Sequence, residues 1–265
     1  MDGAMHLRVM TFNIKNGLPT ETNTWQDRRQ TLTRVVLNTA PDVMGTQEGH
    51  YYQIKDMGEE LEPYDWIGLG RAGGSKDEFM AIFYKKDRLE PVAFDHFWLS
   101  DTPDVVGSVT WGHNNIRMVT WVQFKDKATG SEFIHWNTHF DVNSAEARMK
   151  SARLLTRRIK DSDAEIPSVV TGDFNEPSER AVYEAMLEDG LLKDAWECAE
   201  NRVGEGVGTW HGWKGLADNN SKRIDWILVS PRVECSHAEV VTYHENDQYP
   251  SDHFPVICDL ILGED

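Results

Sequence analysis

The sequence contains no run of about 18 apolar residues, which excludes a membrane-spanning helix. Met1 to Met10 hold no apolar stretch of the kind a secretory leader needs. Cysteine is scarce: Cys198, Cys235 and Cys258 are odd in number and lack C-x-x-C spacing. That excludes a cysteine-built zinc cluster, argues against a disulfide framework and points to a reducing, cytoplasmic setting. Repeats of roughly 20–50 residues, Pro/Ser-rich linkers and low-complexity tracts are missing as well, so 1–265 reads as a single domain. Positive charge is in short supply. The 27 Lys and Arg face 44 Asp and Glu, a net −17. This weighs against loose adhesion to nucleic acid or to an anionic membrane, which needs a basic footprint. It leaves room for a local anionic substrate whose site is neutralised by metal ions.

What is present is core material, 40% hydrophobic residues with 10 Trp, 10 Phe and 7 Tyr. Runs rich in β-branched and aromatic residues predict strands over Leu7–Ile14, Asp42–Thr46, Tyr64–Leu69, Phe79–Tyr84, Arg117–Phe124, Phe133–Thr138, Ser168–Thr171, Arg223–Val229, Ala238–Tyr243 and Val256–Ile261. Helical spacing predicts Trp25–Ala40, capped by Thr24 with Asp27 and stopped by Pro41, then Ser144–Lys160 and Glu179–Glu188. Strands dominate without regular βαβ alternation, so the fold class is a layered α/β or α+β domain with mixed sheets. Two segments echo one another: Pro41 to Glu48 and Pro167 to Asn175 each run from proline through a short apolar strand to an acidic end.

The chemistry is written where strands end. Asn13, Glu48, His139 with Asp141, and Asp173 with Asn175 each follow an apolar run; Asp225 lies between Ile224 and Trp226, and Asp252 with His253 precede Phe254. A single strand-end Asp is usually a turn former. Six such places in one chain point instead to a shared site. Oxygen donors from Glu48, Asn13 and Asp252 suit Mg²⁺ or Mn²⁺, which can polarise a phosphoryl oxygen. His253 oriented by Asp225 is an arrangement for deprotonating water, and Asp173 and Asn175 would position that water and the phosphate.

The motifs Thr11-Phe-Asn-Ile-Lys-Asn-Gly17, Gln47-Glu48, Asn137-Thr-His-Phe-Asp141, Gly172-Asp-Phe-Asn175, Arg223-Ile-Asp-Trp-Ile227 and Ser251-Asp-His-Phe-Pro255 resemble, in order, those of the endonuclease/exonuclease/phosphatase superfamily, which includes the deoxyribonuclease I-like enzymes. The resemblance implies a four-layered α/β sandwich, two packed and mostly antiparallel sheets flanked by helices, and Mg²⁺- or Mn²⁺-dependent cleavage of phosphoesters. It makes Asn13 and Glu48 metal ligands or their support and Asp252 a further ligand. It makes Asp173 the residue that orients the water and Asn175 a phosphate contact. Asp225 with His253 becomes the base dyad or a phosphate-binding dyad. His139 becomes a second phosphate-touching histidine, Glu78 its orienting carboxylate, and Arg117 an arginine reaching the phosphate.

The superfamily's motifs do not choose a substrate. Phe97 to Asp104 with Gly107 to Trp111 resembles a block of bacterial members. The basic stripe Lys150, Arg153, Arg157 and Lys160 reads as a solvated helix face. Trp210 and Trp213 border the Asp225 strand, and Arg71, in a Gly-rich loop, is placed towards the cleft. The reading is therefore a divalent-metal phosphoester hydrolase without membrane association. A compact small molecule or short oligonucleotide is the favoured substrate, and a DNA or RNA nuclease is the alternative.

Overall fold

Successive residues of the central strands point to opposite sides, and both sides are buried. That is why these strands read as continuous apolar runs rather than as alternation. The structure, a computed structural model, describes residues 4–18, 23–218 and 221–263. Its strands are β1 Met5–Asn13, β2 Val43–Gln47, β3 Gly49–His50, β4 Tyr64–Ile67, β5 Glu78–Phe79, β6 Ile82–Lys85, β7 Leu89–Trp98, β8 Met118–Asp126, β9 Glu132–His139, β10 Ser168–Asp173, β11 Lys193–Asp194, β12 Asn201–Val203, β13 Asp225–Val229, β14 Glu234–Val240 and β15 Val256–Leu262. The α-helices are α1 Trp25–Thr39, α2 Tyr51–Glu60, α3 Ala145–Lys160, α4 Ala181–Leu187 and α5 Ala195–Cys198.

One sheet has seven strands in the order β12-β14-β15-β1-β2-β6-β4, and the other six in the order β11-β13-β10-β9-β8-β7. Val9, Val43, Val169 and Ile227 meet in the core between the sheets. Their neighbours in sequence face outwards: Met10 and Met44 pack with Leu32 and Val35 of α1, and Val170 and Trp226 with Leu155 of α3 and Val182 of α4. The result is four layers, helix–sheet–sheet–helix, as the resemblance implied. The outer helices cover the second face of each sheet, which would otherwise expose a large apolar area at about 25 cal/mol per Å².

The helix ends follow local chemistry. Thr24 and Asp27 form the expected capping box, and α1 stops at Ala40, in the left-handed region (φ 48°), just before Pro41. The Phe79–Tyr84 run breaks at Met80 and Ala81, because the Ala81 carbonyl is taken by Thr46 N (2.8 Å) and Asn137 Nδ2 (3.1 Å). Strand β14 lies further towards the N-terminus than expected and carries a bulge between Cys235 and His237. Strand β7 was not expected: Pro91 sits at its bulge and much of it is exposed, as befits an edge. Helix α2 also escaped, with only Ile54 and Met57 as its buried apolar residues. No described helix is long and apolar enough to cross a membrane.

The sequence echo has a structural counterpart. Strands β1 and β2 are parallel and joined through α1, and β9 and β10 are parallel and joined through α3. The two β-α-β units lie in opposite sheets. Their strands end at one edge, together with the starts of the antiparallel partners β13 and β15.

Candidate active site

Strand pairing alone assembles most of the site. Asp173 lies directly across from Asp225 on one side and from His139 on the other. Across the sandwich, Asn13 closes β1 and Glu48 follows β2. A buried polar layer pins the two sheets beneath them. Asn137 accepts from Gln47 Nε2 (2.7 Å) and Thr171 Oγ1 (3.1 Å) and donates to the Thr46 carbonyl (2.8 Å). Gly45 has no alternative there, since a Cβ would lie 2.1 Å from Thr171 Oγ1.

Above this layer is a cavity of about 520 Å³ lined by Glu48, Glu78, Arg117, His139, Asp173, Asn175, Asp252 and His253 among others. Asn13 and Asp225, the remaining expected residues, stand just behind it. Asn13 Nδ2 donates to both Glu48 (3.0 Å) and Asp173 (2.9 Å), tying the two carboxylates together across the sheets. Asp225 Oδ2 is 3.0 Å from His253 Nδ1, so the expected dyad is formed. His253 Nε2 then points towards Asp173, at 3.8 Å. Asn175 donates its backbone N–H to Asp173 (2.9 Å), and its Nδ2 lies 3.0 Å from His139 Nε2. Glu48 and Asn175 adopt left-handed backbone (φ 66° and 50°), the kind of local strain that collects at functional sites.

One expected contact is corrected. Glu78 does not orient His139: its Oε2 accepts from Arg71 (2.6 Å) with Arg117 at 3.8 Å, and its Oε1 is 3.5 Å from Asn16 Nδ2. The two guanidiniums outcompete a neutral imidazole for this carboxylate. His139 Nδ1 is buried without a hydrogen-bond partner, and its Nε2 faces Asn175 and, at 3.6 Å, Asp173.

The electrostatics divide the cavity. Burial and the facing Asp225 push Asp173 up to about 7. Burial opposes a charged His253, yet Asp225, with Asp173 and Asp252 beyond, overrides it and raises the pKa to about 10. Burial and the charges of Arg117 and Arg71 hold His139 well below the ordinary imidazole range. Burial raises Glu78 to about 7 in spite of Arg71, with Glu48 adding to the rise. For Glu48 burial is outweighed by Lys15, the Asn13 hydrogen bond and His253, so it ionises below the ordinary carboxylate range.

Among the described residues, donor atoms of Glu48, Asp173 and His253 lie within 4.8 Å of one another; with His253 protonated, the carboxylates are the groups able to hold a cation. Only Glu48 belonged to the expected metal set; Asn13 stands behind it, and Asp252 lines the same cavity. Asn16, which sequence reasoning left without a role, donates to Glu48 Oε2 from its backbone and side chain (both 3.2 Å), while its Oδ1 is buried and unpaired. A buried orphan acceptor beside a carboxylate fits a hard divalent ion. Lys15, Arg71, Asn115, Asn143 and Trp210 also line the cavity. Trp213 does not line it and packs against Arg28. Nor does the basic stripe of α3, whose Arg153, Arg157 and Lys160 border a separate hollow beside α4.

The model of the Endonuclease/Exonuclease/phosphatase family matches residues 10–253. The chain belongs to this family. Its members are phosphoester hydrolases, and divalent-metal dependence is general among them. Among solved structures, a mannosyl-6-phosphatase from Bacteroides thetaiotaomicron is 35% identical, with a TM-score of 0.91, over 96% of this chain and 99% of that one. A family protein from Bacteroides vulgatus is 36% identical, with a TM-score of 0.92, over 97% and 99% of the two chains. Nocturnin from Drosophila melanogaster is 23% identical over 285 residues, covering 92% of this chain; the chain spans 43% of that protein's length.

Proposed function

We propose that the protein is a divalent-metal-dependent phosphatase of compact phosphoesters. The observation that carries this reading is the cavity of about 520 Å³ in which the His253–Asp225 pair, Asp173, Glu48 and the cations Lys15, Arg71 and Arg117 converge. That volume suits a small ligand. The basic stripe of α3 borders a separate hollow and, among the described residues, does not continue the cavity's cations into a polyanion track. Similarity to the mannosyl-6-phosphatase supports a phosphomonoester.

Glu48 would hold Mg²⁺ or Mn²⁺, with Asn16 Oδ1 beside it. The bound ion supplies Lewis acidity at a phosphoryl oxygen. His253, cationic at neutral pH, holds the phosphate as a charged donor rather than acting as a base, and Asp225 keeps it in that form. Asp173, near 7 and fixed by Asn13 and the Asn175 N–H, is poised to take a proton from the attacking water. His139 and Asn175 complete the donor set around the phosphate.

The test is turnover of a panel of phosphomonoesters and oligonucleotides with Mg²⁺. Hydrolysis of small phosphomonoesters, abolished by EDTA and by Glu48→Ala, is the expected result. Cleavage of long DNA or RNA in preference to every small phosphoester would replace this reading with a nuclease. EDTA-resistant turnover would remove the metal.

A further inference from the structure

Asp141 follows His139 by two residues, is wholly buried, and has no part in the chemistry above. Its carboxylate is nonetheless a hub. Oδ1 accepts the backbone N–H groups of Asn143 (2.9 Å) and Ser144 (2.7 Å), and Oδ2 accepts Asn115 Nδ2 (2.9 Å). His113 Nδ1 stands 3.6 Å from Oδ2. These bonds, with the nearby charge of Arg117, hold Asp141 ionised below the ordinary carboxylate range against its burial. Two segments far apart in sequence, 113–117 and 141–144, are thereby fixed together as one wall of the cavity.

That wall presents two neutral amides beside the Arg117 guanidinium. Asn115 lines the cavity with its Nδ2 committed to Asp141, which leaves Oδ1 as its remaining acceptor, and Asn143 is exposed. Trp210, which bridges to the His253 backbone and is 45% exposed, lines the same cavity. An exposed indole and neutral amides in one cavity suit a pyranose, which has an apolar C–H face and a belt of hydroxyls.

We infer that Asn115 and Asn143, set by Asp141 as a positioning residue, form together with Trp210 a hydroxyl-reading subsite that selects phosphoesters of hexoses. This rests on the phosphatase reading and narrows it to a leaving group. A site built to hydrogen-bond hydroxyls discriminates strongly against an alcohol lacking them.

The experiment compares kcat/KM for mannose 6-phosphate and glucose 6-phosphate with that for phenyl phosphate, with Mg²⁺, in the wild type and in Asn115→Ala, Asn143→Ala and Asp141→Asn. The expected result is that the hexose-to-phenyl ratio drops about three- to tenfold in each asparagine variant, the cost of one neutral hydrogen bond. In Asp141→Asn the ratio drops at least as far, mainly through KM, because both amides lose their setting. Losses equal for both substrates, or no loss, overturn the subsite. If Asp141→Asn fails to fold, the two asparagine variants decide alone. Wild-type turnover of phenyl phosphate without any of hexose phosphate also overturns the subsite and leaves the phosphatase reading standing. Turnover of no phosphoester fells both.

Discussion

His139 and His253 face one cavity and are almost equally hidden, at 4% and 5% exposure, yet they carry opposite protonation tendencies. His253 has Asp225 at 3.0 Å on Nδ1 and is driven to about 10. His139 has no partner on Nδ1, an amide and Asp173 near Nε2, and the guanidinium charge of Arg117 nearby; it is driven well below the ordinary range. Burial alone makes an imidazole neutral, and a carboxylate within hydrogen-bond distance reverses that. The site is therefore asymmetric. The start of β13 and the turn ahead of β15 supply the imidazole driven towards its cation, and the ends of β9 and β10 supply the one driven neutral, beside Asp173.

Removing the carboxylate should erase the asymmetry at the greatest cost. Asp225→Asn should lower kcat/KM for a phosphomonoester by about 10³, because His253 loses the charge with which it holds the phosphate. The His253 imidazole resonance should at the same time titrate at a markedly lower pH. Retention of more than about a tenth of the activity would remove the dyad from the mechanism. The complementary change gives His139 a carboxylate. Asn175→Asp should raise the His139 pKa, read by the same resonances, and cost about 10²–10³ in turnover as a phosphate donor becomes a negative charge. An unmoved His139 titration would mean that charge at Nε2 does not govern this side.

The strand-end residues were legible because each interrupts a run buried on both faces, where an acid or imidazole needs a reason to be. Asn13, Glu48, Asp173, Asp225 and His253 converge for that reason: four parallel strand ends and two antiparallel starts share one edge. The fold class was legible from the same runs. The cavity wall was not. Asn16, Asn115 and Asn143 are polar residues in polar loops, and only the path of the chain makes them neighbours. The Glu78–His139 pairing failed for a related reason. Arg71 comes from a loop held by the Trp98 Nε1 bond to its carbonyl (2.7 Å) and by Gly70, where a Cβ would lie 2.1 Å from the Lys76 carbonyl oxygen. No sequence pattern announces that this guanidinium will claim Glu78.

The smallest predicted effect extends the comparison to a third histidine. His135, fully buried between the sheets with Nε2 at 2.7 Å from Thr171 Oγ1, is held by burial at about 3. Its folded pKa lies below the ordinary value near 6.5, so between those pH values the unfolded chain binds a proton there that the folded chain refuses. Its contribution to stability is complete above about 6.5 and is lost as pH falls, at up to about 1.4 kcal/mol per pH unit. His139 adds to this acid limb, whereas the raised His253 works the other way, its contribution being lost as pH rises from about 6.5 towards 10. His135→Asn keeps a polar partner for Thr171 but removes the titration. Urea unfolding from pH 7.5 to 4.5 should give a constant stability gap between variant and wild type above about 6.5, closing by about one proton's slope below it. Parallel curves over the whole range would mean that His135 is not the buried neutral base its surroundings dictate, and that carboxylates alone set the acid limit of this fold.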